Sequence, residues 1–135
     1  MENKFILTCE STVDLPYEYV CKRNIPVLFY TYTVDGKEYE DDMGKDPSSL
    51  DNFYKLLDEG HLPSTSQINV FKYENFFESV IEKYDGEILH IAFGSGMTPS
   101  VNNAYDAAKK VMEKHPGRVI RVVDSLGSCT GYGLL

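Results

Sequence analysis

Cysteine is sparse in this sequence and falls into no useful pattern. Cys9, Cys21 and Cys129 are odd in number and form no Cys-x-x-Cys pair, so neither a disulfide framework nor a zinc ribbon is signalled, and a reducing compartment suits them. Positive charge is scarce too. Lys and Arg total 13 against 21 Asp and Glu, a formal charge of -8. The lysines are scattered, whereas a nucleic-acid binder needs clustered cations to neutralise phosphates. No apolar run approaches the ~20 residues that span a bilayer. The start, MENKFILTCE, has neither the basic n-region nor the long apolar h-region of a secretory signal. A soluble cytoplasmic protein, not an integral membrane protein, is therefore expected. P-loop and Gly-x-Gly-x-x-Gly fingerprints are missing, and the acidic run EYEDDMGKD lacks the alternate acids, central glycine and closing glutamate of a calcium loop. That run reads as a solvated hairpin end. No metal and no cofactor is expected.

What is present reads as one α/β domain; 135 residues are enough for a core of its own. FILTC (5–9) is a short buried strand, followed by the polar ESTVD turn. A first helix is predicted from Asp14, with Pro16 in its first turn, to the Arg23-Asn24 pair. IPVLFYTYTV (25–34) is β-branched and aromatic, and Asp35-Gly36 turns it into a hairpin whose return strand is KEYE. KDPSSLDNFYKLLDEG predicts a helix with Asp46 as N-cap, Pro47 at the first position, Gly60 just past the end, and Leu50, Phe53, Tyr54 and Leu57 on one face. Tyr73, Phe76, Phe77, Val80, Ile81 and Tyr84 form a second helical stripe, read as core. EILHIAF (87–93) and RVIRVVD (118–124) are strands joined by a helix with Val101, Ala104, Tyr105, Ala108, Val111 and Met112 on one face. That β-α-β segment predicts parallel strands with a right-handed crossover. The expected fold is thus a mainly parallel sheet flanked by helices, with one antiparallel hairpin. The ending, LGSCTGYGLL, is glycine-rich and then apolar, and reads as part of something longer.

Two polar turns stand out against this frame. LPSTSQINVF sets Ser64, Thr65, Ser66 and Gln67 between two helical segments, more hydroxyls than helix starts require. FGSGMTPS places Gly94, Ser95 and Gly96 after a strand, with Thr98 as N-cap and Pro99 behind it, where open α/β sheets bind ligands. Glycines around Ser95 allow backbone N–H groups to approach an anion, and the next helix favours negative charge there. The two turns are read as one site. Asp124 and Ser125, at the end of the last strand, either border that site or cap the following segment. Ser95 as a nucleophile lacks the Gly-x-Ser-x-Gly spacing and a placed base. His61 and His115 read as solvated residues at helix ends, and His90 as a satisfied interior side chain.

These motifs together resemble the DegV family of bacterial fatty-acid-binding proteins. CESTVDLP, which contains Ser11, then PSTSQINVFKYENFFE, FGSGMTPSVNNAYDAA and VVDSLGSCTGYG follow its order and spacing over essentially the whole chain. The resemblance implies that residues 1–135 are the N-terminal domain of a two-domain protein. It implies a long-chain fatty acid as ligand, its carboxylate held by Thr65, with Ser66 adjacent, and by Ser95. In relatives that serve a fatty-acid kinase, it also implies presentation of that carboxylate to a separate ATP-dependent subunit, which makes acyl phosphate. This chain departs from the family at the second turn: Gly94-Ser95-Gly96-Met97-Thr98-Pro99-Ser100 replaces the common Ser-Ser-x-Leu-Ser-Gly-Thr. On residues alone two alternatives stay open, a serine-dependent hydrolase or phosphoryl-transfer enzyme using Ser95, and a structural domain in which both turns are caps.

Overall fold

The computed structural model describes residues 5–133. Its first layer is a four-stranded sheet in the order β2-β1-β6-β7, built from β1 (Phe5–Glu10), β2 (Val27–Leu28), β6 (Glu87–Ala92) and β7 (Ile120–Asp124). Every pairing in it is parallel, as the β-α-β pattern requires. The second layer is a three-stranded antiparallel sheet, β4-β3-β5, made of β3 (Thr31–Val34), β4 (Lys37–Glu40) and β5 (Ser64–Thr65). The expected fold class holds, with the hairpin in a sheet of its own.

The run 25–34 is two strands because the chain is captured between them. The Tyr30 N–H donates to Ser11 Oγ at 2.9 Å, and the Tyr30 carbonyl accepts from the Asp41 N–H at 2.8 Å. Those bonds replace ladder bonds and carry the chain from one sheet to the other. The hairpin follows as predicted: Val34 pairs with Lys37, and Asp35 and Gly36 take φ of 50° and 78°, the left-handed pair a two-residue turn demands.

Helix α1 (Tyr17–Lys22) begins later than expected. Ser11–Val13 form a 3₁₀ turn closed by Asp14 at φ 54°, and Pro16 is the N-cap, not a first-turn residue. Helix α2 (Ser49–Asp58) starts after Ser48. Asp46 acts one step earlier, accepting from the Ser48 N–H at 2.9 Å, so Pro47 precedes the helix. Gly60 lies past its end at φ 90°.

The core lies between the parallel sheet and the long helices α3 (Val70–Lys83) and α4 (Ser100–Lys114). Asn69 caps α3 by accepting from the Lys72 N–H at 2.8 Å. Tyr73, Phe77 and Val80 of the predicted stripe are buried with Ile88, Ala104, Ala107, Ala108, Val111 and Ile120. Tyr105, placed on that face from sequence, is 44 % exposed, and Ala107 is buried instead. A small second cluster joins Cys9, Val13 and Val20 to Tyr132, which belongs to the short helix α5 (Cys129–Gly133). Among the described residues, no helix is long and apolar enough to cross a membrane.

Candidate functional site

A cavity of about 690 Å³ opens between the two layers, lined by Thr65, Ser66 and Gln67 of the first polar turn and by Met97, Thr98 and Pro99 of the second. The helix that follows the second turn is tied to the end of the first: Asn103 Nδ2, in the first turn of α4, donates to the Ile68 carbonyl at 2.8 Å. Apolar walls come from Tyr30, Tyr32, Leu50, Phe53, Tyr54 and Phe93. Mostly apolar lining with a few convergent polar groups, at this volume, is the usual form of a small-molecule site.

The first polar turn is part strand, which sequence reading missed. Ser64 and Thr65 pair with Thr33 and Tyr32 of β3, so Thr65 and its neighbours are held at the cavity by a ladder. Their side chains stay exposed.

The second turn is organised by bonds to the end of β7 and to the chain just past it. Gly94 N–H donates to the Gly127 carbonyl at 3.0 Å, and a Cβ on Gly94 would sit 2.6 Å from Gly127 N. Only glycine permits that approach. Ser95 N–H donates to Asp124 Oδ1 at 3.0 Å, and the N–H groups of Met97 and Thr98 return to the Gly94 carbonyl. Those four amides have internal partners, so the turn is not the ring of free N–H donors expected from its glycines; what it offers are hydroxyls. Ser95 is exposed, and neither it nor Gly94, Gly96, Ser11, Asp124 or Ser125 lines the cavity. Thr98 does line it, but its cap reaches only Ser100, through the Ser100 N–H at 3.3 Å and the Ser100 hydroxyl at 3.0 Å; Pro99 is the N-cap of α4. Asp124 closes both sides of its turn, and hydrogen bonds from Ser95 and from the Leu126 N–H hold its carboxyl below the ordinary value. Ser125 bonds locally to Gly127.

Beneath the cavity lies a buried group that sequence reading placed in a surface turn. Glu10 ends β1 and is fully buried, as is His90. One carboxylate oxygen accepts from the Tyr73 hydroxyl at 2.6 Å and meets His90 Nε2 at 3.0 Å. The other accepts from the Phe93 N–H at 3.0 Å and the Tyr30 hydroxyl at 3.4 Å. Thr8 Oγ1 completes the chain at 2.8 Å from His90 Nδ1. Burial alone would raise the Glu10 pKa; the bond and charge of His90, with the Tyr73 and Phe93 donors, outweigh it and hold the carboxyl below its ordinary value. His90 is thus a satisfied interior residue. His61 pairs with Asp35 and Glu59, and His115 with Glu78. Each histidine is engaged elsewhere than at Ser95, which leaves that serine without an imidazole base.

The acidic run curls on itself. Asp42 accepts from the N–H groups of Gly44 and Asp46 and from the Ser49 hydroxyl; burial opposes ionisation, and these bonds still keep its pKa low. Burial, the largest influence on Asp41, pushes its carboxyl upward. No cluster of acids, histidines and cysteines able to hold a metal occurs among the described residues.

The model of the family described as uncharacterised protein, DegV family, matches residues 4–135. The chain belongs to the DegV family. A DegV domain-containing protein of Clostridium perfringens is 35% identical over 132 residues, covering 98% of this chain and 45% of that protein. A DegV domain-containing 15.5 kDa protein of Staphylococcus aureus is 31% identical over 130 residues, covering 96% and 86%. Among solved structures, a DegV lipid-binding protein from Thermotoga maritima matches with a TM-score of 0.83 at 25% identity, over 98% of this chain and 45% of that one. A stearic acid-binding protein from Eubacterium ventriosum matches with a TM-score of 0.81 at 25% identity, over 96% and 44%. The chain therefore spans about half the length of the Clostridium relative and of both solved DegV-like structures.

Proposed function

We propose that this DegV chain binds a long-chain fatty acid, with the carboxylate at the paired polar turns and the acyl chain against the aromatic walls. The observation that carries the reading is the cavity in which Thr65 and Ser66 of the first turn meet Met97, Thr98 and Pro99 of the second beside an apolar lining. Solved neighbours named as lipid-binding and stearic acid-binding proteins support it. Hydroxyl donors meet the hydrogen-bonding demand of a desolvated carboxylate. Each buried methylene adds about 0.8 kcal/mol, so affinity comes chiefly from the tail, and residues 1–135 alone, as the N-terminal domain of a two-domain protein, bind feebly.

On the family resemblance, the bound acid is presented in the cytoplasm to a separate ATP-dependent fatty-acid kinase subunit that converts it to acyl phosphate. The carrier itself performs no chemistry in this reading. The test is mass spectrometry of an organic extract of the full gene product and of its Thr65→Ala and Thr98→Ala variants. One fatty acid per chain in the parent, depleted in both variants, is the expected result. Lipid content unchanged in both would remove the carboxylate from these turns.

A further inference from the structure

Glu10, Ser11 and Thr12 stand in a row where β1 ends, and of the three only Thr12 lines the cavity. All three nevertheless act on its floor. Tyr30 and Phe93 line the cavity and meet edge to face, with ring centroids 6.2 Å apart. Tyr30 is pinned at both ends, its N–H donating to Ser11 Oγ at 2.9 Å and its hydroxyl to Glu10 Oε1 at 3.4 Å. Phe93 is pinned by its backbone. The ladder between β1 and β6 ends at Cys9 and Ile91, and the Phe93 N–H, two residues on, donates to Glu10 Oε1 at 3.0 Å. A side chain thus continues the ladder where backbone pairing stops, at the point where the chain enters the second polar turn. Tyr132 backs the same floor: its hydroxyl lies 2.7 Å from Thr12 Oγ1, and its ring centroid lies 6.2 Å from that of Phe93.

The Glu10 carboxylate therefore has two sides with different duties. Oε2 faces the core, where it meets Tyr73 and His90 at 2.6 Å and 3.0 Å. Both donors to Oε1 belong to residues that line the cavity. Burying a carboxylate costs the fold, and apolar side chains of the same volume would fill the space without that cost. What apolar packing cannot supply is an acceptor for the Phe93 amide and the Tyr30 hydroxyl, the two groups that hold these walls in one orientation.

We propose that Glu10 is a positioning residue for the ligand: through Phe93 and Tyr30, its Oε1 sets the shape of the cavity floor against which the acyl chain packs. The inference rests on the fatty-acid reading above and adds to it a residue that acts on the lipid without lining the cavity. A network that only holds the core together would weaken binding in step with folding stability. A positioning carboxylate separates the two, losing stability from its core side and affinity from its cavity side.

The test is a titration of the full gene product with palmitic acid, read by displacement of cis-parinaric acid, beside urea unfolding, on Tyr73→Phe, Tyr30→Phe, Glu10→Leu and Glu10→Gln variants. Tyr73→Phe cuts the core side and should lower the urea midpoint, with palmitate affinity within about two-fold of the parent's. Tyr30→Phe keeps the ring and cuts the cavity side. It should weaken palmitate binding about five-fold, the worth of one hydrogen bond, with the smaller loss of midpoint. Glu10→Leu should weaken it about ten-fold or more. Glu10→Gln should recover most of that loss although it destabilises the fold, because its amide oxygen still accepts from Phe93 while its NH2 group points to His90 and Tyr73. Hydrogen exchange at the Phe93 amide should be slow in the parent, Tyr73→Phe and Glu10→Gln and fast in Glu10→Leu. Should Glu10→Leu fail to fold, the two tyrosine variants decide alone. Affinity that follows the urea midpoint across the variants, or a Tyr30→Phe protein that binds palmitate as the parent does, overturns the inference and leaves the fatty-acid reading standing. A parent that binds no palmitate overturns both.

Discussion

In the parallel layer, α3 and α4 bury Tyr73, Phe77, Val80, Val101, Ala104, Ala107, Ala108 and Val111, whereas α2, beside the antiparallel sheet, buries none of its residues. Both kinds of helix carry an apolar stripe in sequence. In α3 the stripe meets a sheet; in α2, Leu50 and Tyr54 remain 55 % and 59 % exposed and face the cavity. One layer thus holds the buried core of the domain, and the other leaves an apolar face exposed at the cavity.

The largest break in that comparison should come from Phe77→Ala. Phe77 is fully buried and stacks edge-on against His90 with ring centroids 5.3 Å apart. Its loss should lower unfolding free energy by about 3–5 kcal/mol, read from the urea midpoint. Glu10→Gln comes next, because it strips the charge that four donors were built around. A loss of about 1–3 kcal/mol at neutral pH is expected. The pH dependence has a definite sign. Glu10 is held below its ordinary value of 4.5, so the stability it adds is present above that value and is lost as pH falls through the lower folded value. Parent and Glu10→Gln unfolding curves should converge in acid, and a gap that widens there would contradict the assignment.

Gly94→Ala sharpens the comparison at the turn after β6, where it packs on the segment after β7. The new Cβ meets backbone at 2.6 Å from Gly127 N and 2.7 Å from Gly127 O, neither of which can yield as a side chain does. About 1–3 kcal/mol of overpacking strain is expected, together with lost lipid in the extract. Leu50→Ala should be the reverse case, moving stability within about 0.5 kcal/mol while lowering lipid content. A large drop in its urea midpoint would show that α2 is packed after all. The smallest effect is chemical: burial pushes the Cys9 thiol up to about 12, while Cys21 and Cys129 are exposed. A thiol reagent at pH 8 should label the two exposed cysteines and leave Cys9 unmodified until the domain unfolds.

Sequence periodicity was sufficient wherever a stripe met a sheet. It found β1, β6, β7, α3, α4 and the Asp35-Gly36 hairpin, since those depend on local pattern and core burial. It missed β5, two residues long, because only pairing with β3 makes Ser64 and Thr65 a strand. It ran β2 and β3 together because the Ser11 hydroxyl that separates them lies 19 residues away along the chain. Of the candidate site, the two polar turns were legible as excess hydroxyls. The spent amides of the second turn were not, since two of their partners, Asp124 at the end of β7 and Gly127 just past it, lie about thirty residues along the chain. Glu10 was hidden for the same reason: a glutamate after an apolar run reads as solvated unless its donors, all distant in sequence, are known.

Those distant donors impose an order on how the domain is made. Glu10 leaves the ribosome early, but Tyr73, His90 and Phe93 lie 63, 80 and 83 residues further on, and Tyr132, which reaches its carbonyl, 122 residues further on. Until they arrive, its carboxylate is best kept in water, so β1 cannot be sealed into the interior by its own neighbourhood. Contacts of such long sequence separation close late and slowly. A nascent chain shorter than about ninety residues would hold helices and a hairpin, yet have no floor beneath the cavity, and the cavity should appear late in synthesis, when β6 docks beside β1.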